Sequence, residues 1–340
     1  LSIVESGFEG FGEVVTGYVS GQMLSLEDAV SQTENLISLL KSRNRLNFQK
    51  IVSVIRESMV SPSVKCGFDC ATWDLFGKKK NVPIWKGLSQ TGKALPATSI
   101  TIGKSSSTQA LNIWNEWVSH LNHRWKQNKT PPVIKVKVGS PSHMEEDLNL
   151  LMILRRSLPK RTIINVDANG SWNEHSILKY RRDLWNLKLG YIEQPLSKED
   201  ITSLPTLRSK IKIPFYLDES ISSIQDLKAL IRDKNVSEGF DGINIKISKV
   251  GGFSIALSLI RCALSSNKKI LLGSISESII GNAPMVHLGD FCHHADLDSH
   301  LVLPENTSHR IRFEDGMIFK PSPDPGFGIV TLETDPKVRW

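Results

Sequence analysis

Apolar and charged positions alternate in short runs that recur through the middle of the chain. Val133-Ile-Lys-Val-Lys-Val-Gly139 reads as a β-strand in which Lys135 and Lys137 fall on one side. Taken alone it could be a polar edge strand with solvated lysines. Four more apolar runs follow, each ending on an ionisable residue. They are Ile163-Ile-Asn-Val-Asp167-Ala-Asn169, Tyr191-Ile-Glu193-Gln-Pro195, Pro214-Phe-Tyr-Leu-Asp218-Glu-Ser220 and Ile243-Asn-Ile-Lys246. The charges at 137, 167, 193, 218 and 246 step by roughly 25–30 residues, which suits one strand, one helix and two short loops. Charges at successive C-terminal strand ends are the mark of a (β/α) barrel carrying chemistry on that face.

The flanking pattern completes the layout. Residues 1–20 read as a hairpin opened by Ile3 and Val4, turned by glycines 7, 10 and 12, and returning through Gly12-Glu-Val-Val15. Ser25-Leu-Glu-Asp28 caps a helix carrying Ala29, Val30, Leu36, Ile37 and Leu40. Phe48, Ile51, Val52 and Ile55 mark a second helix, and Pro62 starts a third with Val64, Phe68, Ala71, Leu75 and Phe76. Pro83 and Pro96 bracket the passage to a first barrel strand at Thr98–Gly103, with a helix around Leu111–Trp125. Gly251-Gly252 opens the helix at Phe253–Leu264; Ile270–Ser274 is a seventh strand, with Glu277 just beyond it, and His294–Asp298 an eighth. Glu314-Asp-Gly316 and Pro321–Pro325 read as turns and an extended tail returning to the first unit. The expected class is α/β: a barrel of eight strands and seven helices over 98–314, with an α+β unit over 1–97 completed by 315–340.

Composition narrows this picture. The 340 residues suffice for a barrel and a smaller companion, and no apolar run is long enough to span a bilayer. The net charge of +7 is scattered, Lys78-Lys79-Lys80 being the one tight run. Neither nucleic acid nor membrane is therefore an expected partner. Four distant cysteines do not make a disulfide framework and suggest a reducing, cytoplasmic setting. The chain opens on Leu1 within an apparent strand, so a targeting segment ahead of it is not excluded by the sequence. Cys66 and Cys70, spaced i, i+4, read as core thiols. The group His287, Cys292, His293 and His294 lacks a partner motif at metal-ligand spacing.

The chemistry then comes from the strand ends. Asp167, Glu193 and Asp218 make an all-oxygen set that cannot stay ionised without a cation between them. That donor type calls for magnesium, with manganese as substitute. Lys137 and Lys246 lie two strands to either side of Glu193 and would present an ammonium group to each face of a substrate. Metal-assisted proton abstraction α to a carboxylate, through an enediolate, is the chemistry this pattern predicts.

The pieces Lys135-Val-Lys137, Val166-Asp167-Ala-Asn169, Glu193-Gln-Pro195, Asp218-Glu-Ser220 and Asn244-Ile-Lys246 before Gly251-Gly252 resemble, in order, the enolase superfamily's muconate-lactonising subgroup. The resemblance implies a modified (β/α)7β barrel with a capping domain built from both chain ends, and a Lys base working with magnesium. It makes Lys246, not Lys249, the second acid/base, and gives Lys135 the task of lowering the Lys137 pKa and touching the substrate carboxylate. Asn169 and Glu219 fall in supporting positions. Asp296-Leu-Asp298 looks like the pair that holds a free ammonium group in dipeptide epimerases. Thr101 and Ser274 match substrate contacts, Ser274 standing where some members carry cysteine. The family's first strand and the loop after it are not evident. The expected partners are a small dipeptide and further copies of the chain. A cycloisomerase, an o-succinylbenzoate synthase or an N-acylamino-acid racemase on the same scaffold remain alternatives. A barrel retired from catalysis would be expected to have lost a metal ligand or a lysine.

Overall fold

The structure, a computed structural model, describes the chain apart from residues 20, 45, 90, 126–130, 140–143, 303–306, 310–311, 315–317 and 333–340. Expectations on the segments 315–317 and 333–340 therefore lie outside the described residues.

Two hairpins and three helices come first. The strands β1 (Ser2–Glu5) and β2 (Phe8–Phe11) pair antiparallel, as do β3 (Gly17–Val19) and β4 (Gln22–Leu24). The helices are α1 (Leu26–Lys41), α2 (Phe48–Glu57) and α3 (Pro62–Lys80). Ser25, Asn47 and Ser61 each accept the backbone N–H three residues on, so all three helices begin on a side-chain cap.

The first hairpin departs from the sequence expectation. Its turn is Ser6-Gly7, both at positive φ (53° and 81°), and the returning strand is Phe8–Phe11 rather than Gly12–Val15. Gly10 and Gly12 serve close approach instead. A Cβ on Gly10 would lie 2.3 Å from the Ala71 carbonyl oxygen, and one on Gly12 2.0 Å from that of Gly67, both on α3. Gly12→Ala is expected to cost about 1–3 kcal/mol through this overpacking, read as a lowered denaturation midpoint at unchanged m-value.

The chain then alternates strand and helix. In order these are β5 (Ile100–Ile102), α4 (Ser107–Trp125), β6 (Val133–Lys137), α5 (Met144–Ser157), β7 (Ile163–Asp167), α6 (Glu174–Lys179), α7 (Arg181–Leu187) and β8 (Ile192–Glu193). There follow α8 (Leu204–Lys210), β9 (Phe215–Leu217), α9 (Ile224–Arg232), α10 (Lys234–Glu238), β10 (Gly242–Ile245), α11 (Ile247–Val250), α12 (Phe253–Ser265), β11 (Lys269–Gly273), α13 (Ile279–Val286) and β12 (His294–Asp296). The eight strands from β5 to β12 form one sheet in sequence order, every neighbour parallel. A parallel bridge from Thr98 to Ala295 closes it, with Ser99 N donating to Ala295 O at 2.9 Å and Leu297 N to Thr98 Oγ1 at 2.7 Å. The result is a (β/α)7β barrel. Leucines and isoleucines from the strands and surrounding helices fill the layer between them.

Strands β13 (Thr307–His309), β14 (Arg312–Glu314), β15 (Ile318–Lys320) and β16 (Ile329–Leu332) end the chain as two antiparallel pairs. The buried carboxylate of Asp74 on α3 ties both ends together. It accepts Phe11 N at 3.0 Å and Phe327 N at 2.7 Å while pairing with Lys78 at 2.7 Å. Glu13 reaches the barrel directly, accepting the N–H groups of Ser278 and Gly281 at the start of α13. Among the described residues no helix is long and apolar enough to cross a membrane.

The histidine and cysteine group does not converge. His287 Nδ1 accepts from Trp85 N at 3.2 Å, His293 Nδ1 from Ile270 N at 3.2 Å, and the His294 ring packs against Tyr191 and Tyr216. Cys66 and Cys70 are buried free thiols.

Candidate active site

Parallel register sets the ionisable strand ends level: Lys137 pairs with Asp167, and Asp167 with Glu193. Asp218 follows directly on β9, and Lys246 on β10. Asp167 and Glu193 are fully buried and Asp218 is 3% exposed. Burial of this kind leaves carboxylates dependent on nearby cations.

Lys135 supplies one of those cations from inside the barrel. Its ammonium group bonds to Asp296 and lies 3.5 Å from Glu193 Oε2 and 3.9 Å from Asp167 Oδ2. Burial by itself would lower the Lys135 pKa, but Asp296, Glu193 and Asp167 outweigh it and hold it well above the ordinary value. Lys137, more than a third exposed, sits 3.9 Å from Asp167 Oδ2. On the far side Lys246 Nζ lies 2.7 Å from Asp218 Oδ2, and Lys249 bonds to the other oxygen of Asp218 and to its carbonyl at 2.8 Å. Against the pull of burial, these two lysines hold Asp218 well below the usual carboxylate range. Asp218 in turn outweighs burial at Lys246 and raises its pKa.

Glu193 has no such compensation. Asn244 Nδ2 donates to its Oε1 at 2.7 Å, while Oε2 has no hydrogen-bond partner among the described residues. Burial, then the charge on Asp167, push its pKa up to about 8, and the 3.5 Å contact with Lys135 does not cancel them. Three buried carboxylates, one with an orphaned oxygen, fit a hard divalent cation by charge and donor type. As the side chains stand, no three Asp, Glu, His or Cys groups among the described residues gather around one point. Asp218 in particular is turned onto its two lysines. The fit is therefore one of donor chemistry, and ligation would take Asp218 off at least one ammonium group.

A cavity of about 540 Å³ opens beside this cluster. It brings together Thr101, Lys135, Lys137, Ser274, Asp296 and Asp298, with Ile113, Trp117 and Leu301 as apolar wall. Lys246 and the three carboxylates are not on its lining; Lys135 connects them to it. Both aspartates of Asp296-Leu-Asp298 line this space, as period two would place them, but their surroundings differ. The Asp296 carboxylate is bonded to Lys135 and Ser99, and these hold its pKa down against burial. Asp298 accepts Thr101 N at 2.6 Å, and burial, then Asp296, push it up to about 6. Ser274 turns to the backbone, both its N and Oγ donating to Asp296 O at 3.0 and 3.1 Å. Asn169, at φ 44°, donates from Nδ2 to Asp167 Oδ2 at 3.2 Å and to Glu219 Oε1 at 3.0 Å.

Two positioning residues stood in the sequence motifs without a visible task. Gln194, at φ 36°, accepts Asp218 N and Ser220 N on Oε1 and donates from Nε2 to Leu196 O and Ser220 Oγ. It clamps the ends of β8 and β9 together. Asn244 fixes Glu193 in the same way from β10. The signal was their fixed place beside Glu193 and Lys246; their tasks needed the cross-strand geometry.

Residues 119–335 match the family described as enolase C-terminal domain-like. The hydrophobic dipeptide epimerase of Flavobacteria bacterium (strain MS024-2A) is 29% identical over 331 residues, covering 97% of this chain and 89% of that protein. The N-succinyl-L-Arg/Lys racemase of Bacillus cereus (strain ATCC 14579) is 27% identical over 289 residues, 84% of this chain and 73% of that one. Among solved structures, the dipeptide epimerase from Methylococcus capsulatus complexed with Mg and dipeptide L-Arg-D-Lys superposes with a TM-score of 0.83 at 24% identity, over 97% of this chain and 90% of its own.

Proposed function

Because this chain belongs to the enolase C-terminal domain-like family, we propose that it is an isomerase that epimerises dipeptides at the carbon next to their carboxylate. The observation that carries this reading is the placement of Lys137 and Lys246. They end β6 and follow β10, four strands apart in a closed ring of eight. That is opposite sides of the barrel, so an α-carbon held between them would meet one ammonium group on each face. One lysine takes the proton and the other, charged, returns one to the opposite face; the reverse direction exchanges their roles.

Asp167, Glu193 and Asp218 would hold magnesium, or manganese in its place. Held by these residues, such an ion would supply positive charge beside the substrate carboxylate, which proton loss from the neighbouring carbon requires. Lys135 would orient that carboxylate and keep the buried anions compatible with one another. Asn169 and Glu219 would support Asp167 from the rim, and Thr101 and Ser274 would shape the substrate cavity. Residues 1–97 with the tail from 315 would form a cap over the catalytic barrel of 98–314.

The far end of the substrate is read by Asp298. With Asp296 taken by Lys135, Asp298 is the member of that pair left for a substrate ammonium, through charge-assisted bonds worth about 1.5–3 kcal/mol. Free L,L-dipeptides are therefore expected to exchange their C-terminal α-proton in deuterated water, while their N-acetyl derivatives exchange poorly. Asp298→Asn should raise KM about tenfold or more with magnesium affinity little changed. The name of the Flavobacteria relative agrees with this reading; that of the Bacillus cereus relative marks its competitor. Equal turnover of N-acylated amino acids and free dipeptides would replace the epimerase with a racemase.

A further inference from the structure

A cavity of about 740 Å³ opens at the opposite end of the barrel from the carboxylates. Its walls include the residues that begin the strands: Val133 of β6, Ile163 of β7 and His294 of β12. The volume lies within the range of small-molecule sites. Three cations line it, namely Arg155 from α5, Lys160 from the following loop and Lys188 from the turn after α7, and no carboxylate does.

These cations are differently placed. Arg155 is fixed, donating from Nε to Leu187 O at 3.0 Å and from Nη1 to Thr162 O at 2.8 Å. Its guanidinium is thus preorganised at the base of the cavity, where burial lowers its pKa. Lys160 and Lys188 are exposed and make no ion pair among the described residues. The basic surface continues past Asn186 into a neighbouring groove with Arg181, Arg182, Lys210 and Lys212. Concentrated charge of one sign beside low-dielectric walls focuses the field on an entering anion.

The interior wall is polar but not self-satisfied. Thr162 and Asn165 are 3% and 2% exposed, and Thr162 Oγ1 and Asn165 Oδ1 have no hydrogen-bond partner among the described residues. Buried polar atoms without partners in an ordered barrel call for an explanation. Pro96, Pro131 and Val133 add apolar lining. Thr162 Oγ1 can turn its proton toward an anion, whereas Asn165 Oδ1 only accepts and is left to water or to a donor elsewhere on a ligand.

We propose that this cavity is a second ligand site, for a small molecule carrying a phosphate group beside an apolar or planar body. The phosphate meets Arg155, Lys160 and Lys188, where charge-assisted bonds are strongest, and the body lies on the apolar lining. The site stands apart from the catalytic face and its assignment does not depend on the epimerase reading.

The test is titration calorimetry on the full chain with phenyl phosphate, inorganic phosphate and a single-stranded oligonucleotide. Phenyl phosphate is expected to bind saturably and more tightly than inorganic phosphate. The double variant Lys160→Gln/Lys188→Asn should weaken it about tenfold or more without changing the thermal midpoint or any dipeptide exchange. Asn is chosen at 188 because the backbone there is left-handed, at φ 52°. Single variants at each position repeat the test should the double variant lose its fold. Absence of saturable binding overturns the proposal, as does binding that the variants leave intact, which would place the anion elsewhere. Tighter binding of the oligonucleotide than of phenyl phosphate overturns it in favour of an open nucleic-acid surface.

Discussion

Lys137→Ala and Lys246→Ala should each abolish interconversion of the two epimers, by at least about 10²-fold, the lower range for general acid–base catalysis. The two losses are expected to differ in kind. With one lysine gone, the survivor still reaches the α-proton of the epimer whose hydrogen points toward it. Each variant should therefore wash deuterium into one epimer only, and the two variants into opposite ones. Proton nuclear magnetic resonance of each pure epimer in deuterated water reads this directly. In this structure the Lys246 ammonium group lies 2.7 Å from Asp218 Oδ2. It becomes a base only when that carboxylate is engaged elsewhere. A single variant that interconverts both epimers at nearly the wild-type rate would sink the two-base scheme.

Chelation should remove activity entirely, and magnesium should restore it. Asp167, Glu193 and Asp218 are buried together, and among the described residues one oxygen of Glu193 accepts no hydrogen bond, so their charges call for a cation. Binding a divalent ion to the native state alone stabilises it, by about 2.7 kcal/mol at a hundred times the dissociation constant. A rise in thermal midpoint with magnesium is thus expected even without substrate. Asp218→Asn keeps the shape and removes one ligand charge, so it should blunt both the midpoint rise and the recovery of activity. Full activity in a sample shown to be metal-free, or a midpoint indifferent to magnesium, would overturn the assignment of these three residues.

The barrel was legible because its information is local. Each strand is a short apolar run with its charge at the C-terminal end, and the spacing between runs leaves room for one helical crossover. What the sequence hid was contact between distant segments. Gly10 and Gly12 look like turn residues in a hairpin read by itself; only the passage of that strand across Gly67 and Ala71 shows why a side chain is excluded. Asp296 and Asp298 look equivalent at period two, yet Lys135, from a strand 161 residues earlier, takes the first and leaves the second. Gln194 and Asn244 were visible as members of motifs, but their work of aligning Asp218 and Glu193 depends on strands that meet only in the folded ring.

The closure of the barrel carries one more consequence. Five residue pairs join β6 to β7, whereas β12 meets the chain ahead of β5 through one ladder bridge, from Thr98 to Ala295, helped by side-chain bonds such as Leu297 N to Thr98 Oγ1. Amide protection is therefore expected to be lower at this join than between β6 and β7. Thr101 and Asp298 stand on the two lips of that join and hold each other. On the proposed function, a substrate gripped between them would act as a clasp, and part of its affinity would go into stiffening that join.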